Sequence, residues 1–207
     1  MKRLGDYEEF KTWSGEPRQW GPDGLWTAWF GGGIIDGLIE AIDHHVEETQ
    51  SGSRHGNPVS AAIGCVFRLT SRRVVERLKG LGSCCVVVDK GMTRRDILTP
   101  LVEADNGFPI SDLPWLAEHA PRDEEDQAQI IGPGGMPMQF AGPVRVAGYR
   151  NDQPYQPLLH SKMLLLGTLR WGEDDFGSEV RFFSPSRLWF GSANWTEGAA
   201  GHIEAGF

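Results

Sequence analysis

Two short motifs hold the residues whose types and spacing point to chemistry. The first is His160-Ser161-Lys162, set in the apolar run 158–166. Alternation along a strand puts residues i and i+2 on one face, so the imidazole and the ammonium are expected to share one space while Ser161 points away. A cation in an apolar strand is costly to bury without an anionic partner, and a phosphate is such a partner. The second motif is Gly191-Ser192-Ala193-Asn194-Trp195-Thr196, which follows the apolar run Leu188-Trp189-Phe190. It offers a tight turn, a hydroxyl and a carboxamide, and these are donors that suit phosphate oxygens. An imidazole to attack or to take a proton, with Lys162, Ser192 and Asn194 to hold negative charge, makes a complete set for phosphoryl transfer. Alone, a His-x-Lys is usually chance and a Gly-Ser-x-Asn usually a turn. Both in order, each at the end of an apolar strand, favour the catalytic reading.

Those motifs need a scaffold. Residues 61–69 are expected to form a buried strand, and Thr70 or Ser71 to cap a helix over 72–79 with Val74, Val75 and Leu78 facing inward. Gly80 and Gly82 flank the helix end, and 84–89 is a second strand. A strand–helix–strand unit of this kind is the signature of a parallel pair with a crossover helix, and it places the chain in the α/β class. Upstream, Ile34, Ile35, Leu38, Ile39, Ala41, Ile42 and Val46 repeat at helical spacing, with a polar loop expected over 47–58. Residues 144–146 start another strand, 180–183 and 187–190 suggest a hairpin, and 172–177 is expected to be an inserted loop. Residues 100–143, rich in proline and carrying the acidic stretch 123–126, are expected to be a long, solvated loop insertion. Residues 1–33 form an aromatic and glycine-rich N-terminal extension whose Trp13, Trp20, Trp26 and Trp29 are expected to pad the outside of the core.

Composition bounds the rest. The chain has 207 residues with 40% hydrophobic and 23% charged residues, a globular balance. A formal charge of -8 gives no general pull toward nucleic acid, yet the charge is uneven. Arg68, Arg72, Arg73, Arg77, Lys79, Lys90, Arg94 and Arg95 face only Glu76 and Asp89 in the same stretch. That pattern fits either a nucleic-acid groove or a salt-bridged helix surface. Cys65, Cys84 and Cys85 read as small buried strand residues, with adjacent Cys84 and Cys85 on opposite faces, so neither a disulfide framework nor a metal site is expected. No run reaches the roughly 18 apolar residues of a membrane span, and the N-terminus lacks the apolar core of a signal peptide, so a cytoplasmic location is expected. His44, His45, His55 and His119 read as surface residues.

His160-Ser161-Lys162 followed by Gly191-Ser192-Ala193-Asn194 resembles the signature of the phospholipase D superfamily, His-x-Lys, four residues, Asp, then Gly-Ser/Gly-x-Asn. The likeness covers roughly residues 34–207: 61–89 resembles the family's opening strand, Leu-Thr turn, helix and second strand, and His202-Ile203-Glu204 is similar to its closing Asn-x-Glu strand. It implies a phospholipase D-like fold, a mixed, mostly parallel sheet flanked by helices. It also implies attack by a neutral His160 to give a phosphohistidine, with a second, protonated histidine as the acid and no metal or cofactor. Lys162, Ser192, Asn194 and Glu204 would complete the catalytic set, with Gly191, Thr196 and Arg68 binding substrate. One motif per chain implies a homodimer whose site straddles the two-fold axis; His202 is a lesser candidate for the acid. The family's Asp falls at Gly167 here, a departure that leans toward members acting on nucleic acid, DNA first. A phospholipase or phosphatidyltransferase acting on membrane lipid, and a non-catalytic binding module, are the alternatives.

Overall fold

The computed structural model describes residues 18–20, 26–51, 58–92, 94–110, 118–127, 129–131, 137–147, 160–173, 176–177, 179–201 and 205–207. In chain order the elements are β1 Arg18–Trp20, β2 Trp26–Phe30, α1 Ile34–Ser51, β3 Val59–Val66, α2 Arg72–Lys79, β4 Ser83–Asp89 and α3 Arg95–Val102. The short strands β5 Phe108–Pro109, β6 Ile130–Ile131, β7 Pro137–Met138 and β8 Phe140–Ala141 follow. The last elements are β9 Val144–Ala147, β10 Lys162–Glu173, β11 Glu179–Phe190 and β12 Ala205–Gly206.

The molecule is mixed α/β. Its main sheet has five strands in the order β11-β10-β3-β4-β9. β3, β4 and β9 pair in parallel, while β10 is antiparallel to both neighbours, so every strand but β10 runs the same way. The β3–α2–β4 unit is the expected crossover. Ser71 caps α2, its hydroxyl accepting from the Val74 amide at 3.4 Å. The expected hairpin within 180–190 is instead one long strand paired with β10, and β10 continues through Glu173, part of the expected loop. Arg187 lies opposite Leu166 and Pro185 opposite Gly167, so Ser186 is the extra residue of a bulge. A bulge lets a twisted strand stay paired while its facing changes.

Alternation divides the apolar residues between two faces. On one, Ala62, Val66, Cys84, Val86, Val88, Leu164, Leu166 and Trp189 pack against the apolar sides of α1, α2 and α3. On the other, Ala61, Cys85, Leu169 and Phe183 pack with Phe108 and Ala141 of the β5–β8 pair. Adjacent Cys84 and Cys85 thus do fall in different cores. The stretch 100–143 is not all solvated loop, since Phe108, Ile110 and Ala141 are buried and close part of the second face. Toward one end that face stays open, and Met163, Leu188 and Phe190 are 44%, 48% and 37% exposed.

α1 overruns the expected polar loop because Glu47, Glu48 and Gln50 are good helix formers. It also buries His45, 2% exposed, against expectation. Positions 38, 42, 45 and 49 all lie on its inward side, and the His45 ring finds a buried carbonyl that sequence periodicity does not reveal. β2 pairs with β12 from the far end of the chain, and Trp29 packs on Trp189 at 4.9 Å between ring centroids. Trp13 lies outside the described residues. Among the described residues no helix is long and apolar enough to cross a membrane.

Candidate active site

The two motifs meet at the end of the sheet where β3 and β11 finish and β10 begins. Lys162 is the first residue of β10 and pairs with Val66, the last of β3. On its other side its carbonyl accepts from the Gly191 amide at 3.2 Å. One ladder therefore links the end of the first motif to the start of the second. In open α/β sheets, the space beyond the carboxyl ends of the strands is where ligands bind.

His160 and Lys162 share one space, although His160 and Ser161 precede β10, which begins only at Lys162. Lys162 Nζ lies 3.1 Å from each ring nitrogen of His160 and 3.2 Å from the His160 carbonyl. A neutral imidazole presents one acceptor nitrogen to such an ammonium. Lys162 is 7% exposed, whereas His160 is open to solvent. The ammonium also sits 5.7 Å from the centre of the Phe67 ring, within the range of a cation–π contact worth about 0.5–2 kcal/mol.

The Gly191–Thr196 turn is anchored by Trp195. Its side chain is 1% exposed, and truncating a buried Trp typically costs about 3–5 kcal/mol. Its backbone adds a bridge to the segment after β3: the Trp195 amide donates to the Arg68 carbonyl at 3.0 Å, and the Trp195 carbonyl accepts from the Thr70 and Ser71 amides at 2.9 and 3.0 Å. At about 1 kcal/mol each these bonds register the turn, while the indole supplies most of the energy. The Ser71 hydroxyl also donates to the Glu197 carboxylate. Gly191 admits no side chain, because a Cβ there would lie 2.1 Å from the Ala205 carbonyl oxygen.

Of the other expected site residues, Ser192 is exposed and its hydroxyl accepts from the Ala205 amide at 3.0 Å, leaving its own hydrogen to donate. The Asn194 Oδ1 is buried without a partner among the described residues. Thr196 is half-buried and Arg68 is exposed beside Phe67. Glu204 and His202 lie outside the described residues, and Lys90's side chain does too. Phe67, Trp195 and Glu197 were not anticipated as site residues; their roles come from contacts with residues far away in sequence.

The basic stretch is largely a salt-bridged helix surface. Arg73 pairs with Asp36 at 2.7 Å, Arg77 with Asp43 at 2.8 Å, and Lys79 with Glu76 at 3.0 Å. Arg72 and Arg94 share Asp96 at 3.5 and 2.8 Å. Exposed pairs of this kind are worth under about 1 kcal/mol and exchange partners readily. Among the described residues Arg68 and Arg95 carry no ion pair.

Position 167 is closed to a side chain. A Cβ at Gly167 would fall 2.3 Å from the Ser184 carbonyl oxygen and 2.9 Å from the Phe183 ring, so an Asp does not fit. The chain matches no protein-family model and no curated protein.

Proposed function

We propose that the protein is a metal-independent phosphodiesterase that hydrolyses nucleic-acid phosphodiester bonds in the manner of the phospholipase D superfamily its motifs resemble. The observation that carries the proposal is the His160–Lys162 pair at 3.1 Å, backbone-bonded to the Gly191 turn at the end of the sheet. A ring nitrogen of neutral His160 attacks phosphorus and forms an N–P bond while the P–O bond to the leaving group breaks. The leaving oxygen takes a proton from a second histidine, His160 of the partner subunit in a homodimer. Water then attacks the phosphohistidine, the N–P bond breaks, and the second histidine takes back a proton. Lys162, the Ser192 hydroxyl and the Asn194 carboxamide hold the non-bridging oxygens, which is where such sites gain most of their rate. Gly191, Thr196 and Arg68 bind the substrate backbone, and Glu204 completes the set.

Exposed Arg68 beside the motif supports a polyanionic substrate. One observation favours a second reading, action on a phospholipid headgroup: Met163, Leu188 and Phe190 are exposed apolar residues on the second face of the sheet, at the same end as the site.

Plasmid DNA and phospholipid vesicles, each incubated with protein in excess EDTA, separate the readings. The expected result is nicked DNA, intact lipid and no activity in a folded His160→Ala variant. An absolute need for divalent metal would overturn the mechanism. Headgroup release from vesicles alone would select the second reading, and no turnover of either substrate would leave a binding module.

A further inference from the structure

We propose that Phe67 is a positioning residue for His160, a role that rests on the phosphodiesterase reading of the site. Phe67 is the first residue past β3, and its amide donates to the Ser161 carbonyl at 3.1 Å. Ser161 is the residue between His160 and Lys162, so this bond extends the β3–β10 ladder by one step and fixes the backbone that bears both groups. The ring then touches both side chains. Its centroid lies 5.1 Å from that of the His160 imidazole at an interplanar angle of 53°, and 5.7 Å from Lys162 Nζ.

Phe67 is only half-buried and belongs to neither hydrophobic core. A core-filling role therefore does not account for it. An attacking imidazole must be held in one orientation, usually by a group bonded to its second ring nitrogen. Among the described residues the His160 ring has Lys162 as its hydrogen-bond partner and Phe67 as its aromatic neighbour. A tilted aromatic contact restricts rotation of the imidazole, and the same ring offers its face to the ammonium and keeps that charge beside the nucleophile. Because His160 is otherwise open to solvent, loss of the ring frees it to adopt unproductive rotamers.

The test compares wild type, Phe67→Leu and Phe67→Tyr, with circular dichroism as the check on folding. Two readouts are taken: hydrolysis of bis(p-nitrophenyl) phosphate, and the ¹H–¹³C resonance of the His160 ring, assigned by its disappearance in His160→Ala. Misplacing a reacting group by an ångström costs about 100-fold, so Phe67→Leu should lose about 10- to 100-fold in kcat with KM within about threefold. Its His160 resonance should move, because the ring current of Phe67 is gone. Phe67→Tyr restores the ring and should return both readouts close to wild type. A folded Phe67→Leu protein with unchanged kcat, a loss confined to KM, or failure of Phe67→Tyr to rescue would overturn the proposal. If the wild-type protein turns over no diester, the phosphodiesterase reading falls and the nuclear Overhauser contacts of the His160 ring decide positioning: one ring orientation in wild type and Phe67→Tyr but several in Phe67→Leu supports it, and the same pattern in all three overturns it.

Discussion

Replacing Gly167 by alanine adds one methyl group where β10 and β11 change register. That methyl would stand 2.3 Å from the Ser184 carbonyl oxygen and 2.9 Å from the Phe183 ring. The ring can shift a few tenths of an ångström, but the carbonyl belongs to a paired strand and moves only if β11 lifts from β10. Overpacking costs about 1–3 kcal/mol, and a backbone obstacle puts this case at the upper end. A second cost follows from the same displacement. The Gly167 carbonyl is bonded to the buried His45 Nε2 at 2.8 Å, and stranding a buried donor costs a further 1–3 kcal/mol or so. The expected loss is therefore about 3 kcal/mol or more, some two powers of ten in the folding equilibrium and a large share of a typical domain's stability. Urea titration followed by far-ultraviolet circular dichroism measures it as a lowered midpoint. Gly167→Asp should be worse, because its carboxylate would enter the cluster around Phe183 and Leu169. A Gly167→Ala protein within about 0.5 kcal/mol of wild type would refute the claim that this position is closed to a side chain. So would a Gly167→Asp protein that is both stable and more active.

Burial holds the His45 imidazole below its usual value of 6.5, with Arg187 and His44 adding to the depression and the Gly167 carbonyl and Glu48 opposing it. The unfolded chain then binds a proton that the folded chain refuses, so the contribution is complete above pH 6.5 and erodes as pH falls below it. His45→Gln, which keeps a donor for Gly167, should flatten that slope; an unchanged slope would mean another group sets it. The thiols should also sort by burial. Cys84 is fully buried and its thiol is raised, and Cys85 is pushed up to about 11 by burial, so Ellman's reagent at pH 8 should modify the half-buried Cys65 first and the other two only on unfolding. Equal rates for all three would contradict the assignment of Cys84 and Cys85 to the two cores.

The sequence by itself determined what depends on neighbours a few residues apart. The apolar spacing of Val74, Val75 and Leu78 with Ser71 before them sets α2 and its cap, because helix periodicity and capping are local physics. The spacing of His160 and Lys162 puts them within reach of each other, and they do meet at 3.1 Å, although β10 begins only at Lys162. Alternation sends Cys84 and Cys85 to opposite sides. Only the tertiary structure decided what depends on strand register and on contacts between distant segments. Pairing of Lys162 with Val66 and Gly191 joins the two motifs, and nothing local to either motif selects that register. Phe67 reads as one more apolar strand residue until the ladder brings its ring to His160. His45 reads as a surface residue until Gly167, more than a hundred positions away, offers its carbonyl. The arginines of α2 read as a basic patch until α1 lays Asp36 and Asp43 beside them. In each case the partner is chosen by how whole elements pack, and packing energy is shared among residues that no local window of sequence contains.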